Sequence, residues 1–325
     1  QDWDWCSGYH ESDSTVIGFS HTHLSGTGIG DLFDVTVMPV VGEVKYARGR
    51  HSDPESGLWS YADRSQERYA PGYYSVPLVR YGVVAEMTAT SRVGLHRYTF
   101  PEADDAAIIF DLQNGGCWDR ATETTINQES ETMISGWRFS QGWANRQKVY
   151  FVAEFSKPFE SLEVLPGGRY ARANYKTTKG EQLMLKVALS PVSVEGARAN
   201  LAAELQGWDF ESTTKVAKQR WNDELAKVKV VGEDEAAKRV FYTALYHSMI
   251  APTIYSDVDG RYYGPGTQVH QADGWVNYST FSLWDTFRAA HPLFTYTNPE
   301  RVGDMVKSFI AFYEQNGRLP VWNFW

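Results

Sequence analysis

The chain has 325 residues, 42% hydrophobic and 22% charged, which is the balance of an ordinary folded protein rather than a disordered one. Its 31 basic and 40 acidic residues give a net charge of −9, which argues against a nucleic-acid partner. No apolar run approaches the roughly 18 residues of a membrane span, and the length exceeds one typical core, so two domains are expected.

Twelve Trp and an aromatic content of 14% are the unusual features. Carbohydrate sites use such rings as stacking platforms, although sandwiches and large barrels also bury many. Cys6 and Cys117 are too few for a disulfide framework, and spacing alone leaves open both two buried free thiols and a single bridge. The chain begins at Gln1 with no initiator Met and no signal peptide, so a removed or missing front segment is expected.

In chain order, Val35 to Pro39 alternates weakly. Tyr81 to Thr90 reads as a stronger strand, followed by Gly94 to Phe100 and the buried run Ala106 to Leu112. Thr132 to Phe139, Lys148 to Phe155, Ser161 to Leu165, Arg169 to Tyr175 and Gln182 to Leu189 continue the series, with turn signals at Asn114-Gly115-Gly116, Pro166-Gly167-Gly168 and Lys179-Gly180. Closely spaced short strands predict an antiparallel β-sandwich over residues 1–194. After Pro191 the texture changes, and residues 195–231 read as a helical linker. Residues 232–325 read as the first part of a helical barrel. There Val240, Phe241, Ala244, Leu245 and Met249 recur at helical spacing. The final helix is expected to be capped by Thr297 or Asn298, with Pro299 early, an apolar stripe from Val302 to Tyr313, and a stop at Asn316-Gly317.

The stretch from Gly274 to Phe294 holds Trp275, Tyr278, Phe281, Trp284 and Phe287 around one acid, Asp285, and one base, Arg288. At helical period Phe281, Trp284, Arg288 and His291 share a face, which predicts a buried helix with Arg288 as the charge partner of Asp285. Two uses fit that pattern. One is a structural ion pair. The other is a sugar site, with an indole for the apolar face of a pyranose and a carboxylate to accept hydroxyl hydrogen bonds.

Other candidates are weaker. His21-Thr22-His23 would place both imidazoles on one side of a strand, but no third ligand completes a zinc set, and hydrogen-bonded structural histidines are the better reading. Gly26, Gly28 and Gly30 follow GxGxG without a Lys or a βαβ unit, so a nucleotide site is rejected. Asp257-Val258-Asp259-Gly260 fails the EF-hand pattern at both Tyr262 and Gln268, and a turn is expected. No metal ligand set is identified. Trp5, Ser7, Gly8 and Tyr9 combine an indole, small residues and hydroxyls, either as a turn packed at a domain interface or as a ligand contact.

YSTFSLWDTFRAAHPLF (Tyr278 to Phe294) resembles the signature at the start of the catalytic barrel in glycoside hydrolase family 92, the calcium-dependent exo-acting α-mannosidases. WDWCSGYHESDSTVIGFSHTHLSGTGIGD (Trp3 to Asp31) is similar to that family's other long signature. The resemblance implies a supersandwich followed by an incomplete (α/α)₆ barrel, with secretion or the bacterial periplasm as its location. It also implies inverting removal of terminal α-linked mannose from glycans, calcium as the cofactor, and substrate contacts at Trp5, Ser7, Gly8, Tyr9, His21, His23, Trp284, Asp285 and Arg288. Most calcium contacts and both catalytic carboxylates are expected beyond Trp325, so the rest of the same enzyme is the expected partner, together with a mannose-containing oligosaccharide. Two rivals are a non-catalytic carbohydrate-binding module, which would explain aromatics without a catalytic pair, and a glycoside phosphorylase, which would need a basic phosphate-binding cluster that the sequence does not show.

Overall fold

A computed structural model describes residues 12–24, 31–114 and 119–323. Trp5, Ser7, Gly8, Tyr9, both cysteines and the 26–30 glycines lie outside the described residues.

Among the described residues up to 190, strands dominate. In order come β1 (Thr15–Val16), β2 (Thr36–Val41), β3 (Ser60–Tyr61), β4 (Arg68–Ala70) and β5 (Tyr73–Leu78). Then follow β6 (Val83–Ala89), β7 (Val93–Phe100), β8 (Ala103–Asp111), β9 (Arg120–Gln128) and β10 (Met133–Gln141). The series ends with β11 (Gln147–Phe155), β12 (Ser161–Val164), β13 (Tyr170–Thr177) and β14 (Glu181–Ser190). An eight-stranded sheet ordered β4-β5-β6-β7-β14-β11-β10-β9 faces a four-stranded sheet ordered β12-β13-β8-β2, and the pairings are antiparallel.

Val37, Ile109, Phe110, Phe151 and Leu185 are among the fully buried side chains of the main core. Each such side chain contributes ~1.5–3 kcal/mol relative to leaving it in water. β9 escaped the sequence reading because only Ile126 of RATETTINQ is buried, as suits a sheet-edge strand. β5 escaped because Pro77 interrupts it.

At the end of the sandwich Arg138 is fully buried on β10. It is paired with Asp34, just ahead of β2, and with Asp119, just ahead of β9. Its Nε donates to the Leu112 carbonyl at 2.8 Å. Asp34 also accepts from Thr22 Oγ1 at 2.8 Å and from the Gln147 amide. Burial pushes the Asp34 carboxyl above its ordinary range, and the Arg138 charge opposes that push.

Helices begin where the strands stop. α1 (Val194–Glu204), α2 (Phe210–Leu225) and α3 (Glu235–Ser248) each open on a capping side chain: Ser193 accepts from Gly196 N, Asp209 from Ser212 N, and Asp234 from Ala237 N. The expected linker is no free tether. Ala197, Leu201, Leu205 and Phe210 pack onto Val93, Leu95, Val152 and Ala188 of the larger sheet.

Arg92 bridges this layer to the loop beyond α3, pairing with Glu204 at 2.7 Å and donating to Ser256 O at 2.6 Å. In the same loop the buried Asp257 accepts from Ser190 Oγ at 2.7 Å and Asn200 Nδ2 at 2.8 Å. Gly260 turns at φ 85°, as the turn reading of this segment expects.

Short ladders follow: β15 (Thr253–Ile254), β16 (Arg261–Tyr263), β17 (Val269–Gln271), β18 (Tyr278–Ser279) and β19 (Phe281–Ser282). The chain then runs through α4 (Leu283–Thr286), α5 (Ala290–Thr297), α6 (Pro299–Asn316) and β20 (Trp322–Asn323). Pro299 starts α6, and Gly317 ends it in the left-handed region at φ 73°, as the sequence predicts. The capping expectation holds for position but not for the side-chain bond. Asn298 occupies the cap position, but its amide donates to Glu224 Oε2 at 2.7 Å, and its carbonyl oxygen accepts from Thr297 Oγ1 at 2.8 Å.

The expected apolar stripe of α6 is split. Met305 is buried with Tyr278, Phe281 and Phe294, while Val306, Ile310 and Tyr313 remain exposed, as does Val240 of α3.

The buried charge at Arg138 gives a first prediction. Arg138→Met leaves two carboxylates in a dry site and is expected to lower stability by about 3–5 kcal/mol. Arg198→Ala, which breaks a partly exposed pair with Glu129, is expected to cost under about 1 kcal/mol. Urea unfolding of both variants of the full-length protein, followed by intrinsic fluorescence, measures the difference.

Candidate active site at the junction of sheet and helices

The two candidate blocks meet where the sandwich abuts the helical part. On the sandwich side, His21 and His23 line a cavity of about 670 Å³ whose other walls include Tyr73, Arg92, His96, Tyr255, Asp257 and Thr280. Gly94 makes the close approach possible, since a Cβ there would stand 2.8 Å from His21 Cδ2.

His21 Nδ1 lies 2.6 Å from the Val35 carbonyl, which can only accept, so this nitrogen carries the proton. In the neutral ring Nε2 is then an acceptor, and His96 Nε2–H donates to it at 2.8 Å. His96 Nδ1 in turn accepts from the Tyr98 hydroxyl at 2.8 Å. The relay runs one way, from Tyr98 through His96 and His21 to Val35. Burial lowers His21 to about 4 and holds His96 well below its ordinary value, so both rings are neutral at pH 7. Both nitrogens of His21 are therefore spent inside the protein. This fits the structural reading of the pair and gives His21 no free nitrogen for a ligand. The flanking residues are not a regular strand.

On the helical side the expectation of one buried helix is overturned. The stretch breaks into β18, β19, α4 and α5. Thr280 adopts φ 60°, an uncommon conformation for a β-branched residue, and Pro292 forces a fresh helix start near Ala290. The expected face splits accordingly: Phe281 packs against Phe309 with centroids 4.5 Å apart, while Trp284 is 61% exposed.

The expected Asp285–Arg288 ion pair is also overturned. Asp285 accepts instead from Ser282 Oγ at 2.7 Å, and Arg288 Nη1 donates to Trp284 O at 3.0 Å. The Arg288 guanidinium lies 4.5 Å from the Phe287 ring centroid and 5.6 Å from that of Trp284. Neither charge is buried, so desolvation does not force them together.

This turn still reaches the sandwich. Trp322 Nε1 donates to Ser282 Oγ at 2.8 Å, and its ring meets Trp143 with centroids 5.3 Å apart. Trp143 packs with Leu24, Leu32 and Ala144, beside His23 in the chain. The Trp284–Asp285–Arg288 turn thus presents an indole, a carboxylate and a guanidinium to solvent from a base clamped to the sandwich.

The glycosyl hydrolase family 92 N-terminal domain model matches residues 1–190, and the catalytic domain model of the same family matches residues 196–325. The chain belongs to glycosyl hydrolase family 92.

Among solved family 92 structures, the α-mannosidase BT3965 from Bacteroides thetaiotaomicron superposes at a TM-score of 0.95 with 36% identity, over 100% of this chain and 46% of that one. The inverting mannosidase BT2199 from the same organism superposes at 0.84 with 28% identity, over 97% of this chain and 44% of that one. A relative described as an uncharacterized secreted glycosidase, from Arthroderma benhamiae, is 24% identical across 77% of this chain and 37% of its own length. The chain thus spans less than half the length of these relatives.

Calcium, implied by the resemblance, finds no donor set here. Among the described residues no group of three or more His, Cys, Asp or Glu side chains could hold a metal ion, and no chemistry is derived through one. No helix among the described residues is long and apolar enough to cross a membrane.

Sequence reasoning missed His96, Ser282, Trp322 and Trp143 as site residues. Only the Ser282-x-x-Asp285 spacing, the form of a helix-capping pair, signalled any of them.

The histidine relay gives a second prediction. A folded-state pKa depressed below the unfolded value means that the unfolded chain binds more protons between the two, so stability from His21 is present above pH 6.5 and is lost as pH falls towards about 4. The stability advantage of the wild type over His21→Gln is expected to be widest at pH 7–8 and to shrink towards pH 4. Thermal melts across that range check it, and an advantage independent of pH would contradict the neutral relay.

Proposed function

We propose that the protein is an exo-acting, inverting α-mannosidase that removes terminal α-linked mannose from glycans, outside the cytoplasm, with calcium held by residues other than those described. This chain supplies the sandwich and the first part of the catalytic barrel. The observation that carries the proposal is the solvent-facing Trp284–Asp285–Arg288 turn, with Trp284 61% and Phe287 57% exposed beside an open carboxylate. An exposed aromatic next to an open carboxylate matches what a pyranose needs. Its apolar face stacks on a ring, and its hydroxyls donate to an acceptor.

In this reading Trp284 stacks on the mannose, and Asp285 accepts from its hydroxyls through Oδ1. Arg288 braces the turn through Trp284 O and turns its remaining N–H donors towards the sugar. His23, which lines the cavity beside His21, joins as a sugar contact on the strength of its motif, while His21 supports the wall. Trp5, Ser7, Gly8 and Tyr9 join the same pocket on the strength of their motif. The general acid and base that inversion requires come from other parts of the enzyme. Two family 92 mannosidases of known structure share the fold, and that of BT3965 has been determined with mannoimidazole bound.

The test is Asp285→Asn in the full-length protein, assayed on an aryl α-mannoside. Loss of two charge-assisted hydrogen bonds is expected to lower kcat/KM about 100-fold. The melting temperature should stay near wild type, because Asp285 is exposed and no ion pair to Arg288 is lost. A stable variant with unchanged kcat/KM would end the sugar-binding assignment.

A further inference from the structure

We propose that Ser282 and Trp322 are positioning residues for Asp285, forming a hydrogen-bond relay through which the sandwich sets the orientation of the sugar-binding carboxylate. The inference rests on the reading of Asp285 given above.

Chemistry fixes the direction of each proton. An indole N–H only donates and a carboxylate only accepts, so the single Ser282 proton has one use. Trp322 Nε1 donates to Ser282 Oγ at 2.8 Å, and Ser282 Oγ donates to Asp285 Oδ2 at 2.7 Å. Accepting from the indole polarises the hydroxyl and strengthens its own donation. Ser282 also occupies the cap position of α4, where a serine hydroxyl ordinarily accepts from a backbone N–H, yet it makes no such bond. Its oxygen is diverted to Trp322 and its proton to Asp285.

Both relay residues are held from outside the turn. Phe281 and Ser282 pair with Asn323 and Trp322 in an antiparallel ladder. Thr280 N donates to Asn323 O at 3.0 Å, and Leu283 N donates to Val321 O at 3.1 Å. The Trp322 ring rests on Trp143, between β10 and β11, with an interplanar angle of 54°. Oδ2 is therefore tethered, and Oδ1 is left for the sugar.

The experiment uses the full-length protein and an aryl α-mannoside. Ser282→Ala is expected to lower kcat/KM about tenfold with the melting temperature unmoved, because the bond it removes is exposed and contributes little to folding. Ser282→Thr, which keeps the hydroxyl, should restore activity. Trp322→Phe, which keeps a ring against Trp143 but loses the N–H, should fall between wild type and Ser282→Ala, and it serves as the test if Ser282→Ala does not fold. In the Ser282→Ala/Asp285→Asn double variant the loss should be no greater than for Asp285→Asn alone.

Wild-type kcat/KM for Ser282→Ala alongside an impaired Asp285→Asn overturns the relay and leaves the sugar-binding reading standing. Losses that multiply independently in the double variant also overturn it. A wild-type-like Asp285→Asn removes the reading itself, and the relay with it.

Discussion

Arg138 is the interaction on which the rest of the junction depends. A guanidinium cannot be buried alone, and this one is flanked by Asp34 and Asp119 and caps the Leu112 carbonyl. Those partners precede β2, precede β9 and follow β8, so one side chain joins the ends of both sheets. Asp34 extends the link, because it also receives Thr22 Oγ1 and the Gln147 amide. Thr22 lies between His21 and His23. The charge cluster therefore fixes where the cavity wall stands, and the histidine relay then fixes how that wall is protonated.

The backbone near this cluster is held in sparsely populated conformations. Leu32, Phe33 and Val35 have φ values of 66°, 46° and 53°, and Thr280 across the cavity has 60°. Residues other than glycine occupy that region only when their surroundings over-determine them. Here the surroundings are identifiable. Asp34 N donates to Thr22 Oγ1, the Val35 carbonyl receives His21 Nδ1, and Thr280 Oγ1 accepts from Thr253 N and donates to Thr253 Oγ1. Four of the five such residues in the described parts of the chain lie at this junction, the fifth being Thr267 in the turn between β16 and β17.

Much of the fold was legible in the sequence because its signals are local. Alternating runs bounded by Gly and Pro marked most of the longer strands of the sandwich, and the Pro299 and Gly317 pair marked both ends of α6. The boundary after Pro191 was visible as a change of period. The site was less legible because its determinants are not local. Nothing near Asp285 announces that Trp322 reaches back to Ser282, or that His96 meets His21 across 75 positions. The helical reading of Gly274 to Phe294 failed because periodicity cannot register a left-handed Thr280 imposed by Thr253 and Asn323. The ion-pair reading assumed burial, and without burial the force that would have paired Asp285 with Arg288 is absent.

The contact between Trp143 and Trp322 bears on how such enzymes diversify. If the sandwich were only a platform, it could be exchanged between relatives and the helical part would keep its own affinity for sugar. Here an indole on a sandwich turn supports the indole that reaches Ser282, so the two parts share a matched surface. A graft that changes the turn between β10 and β11 alters the shape against which Trp322 rests. A change on one side of this contact therefore calls for a matching change on the other.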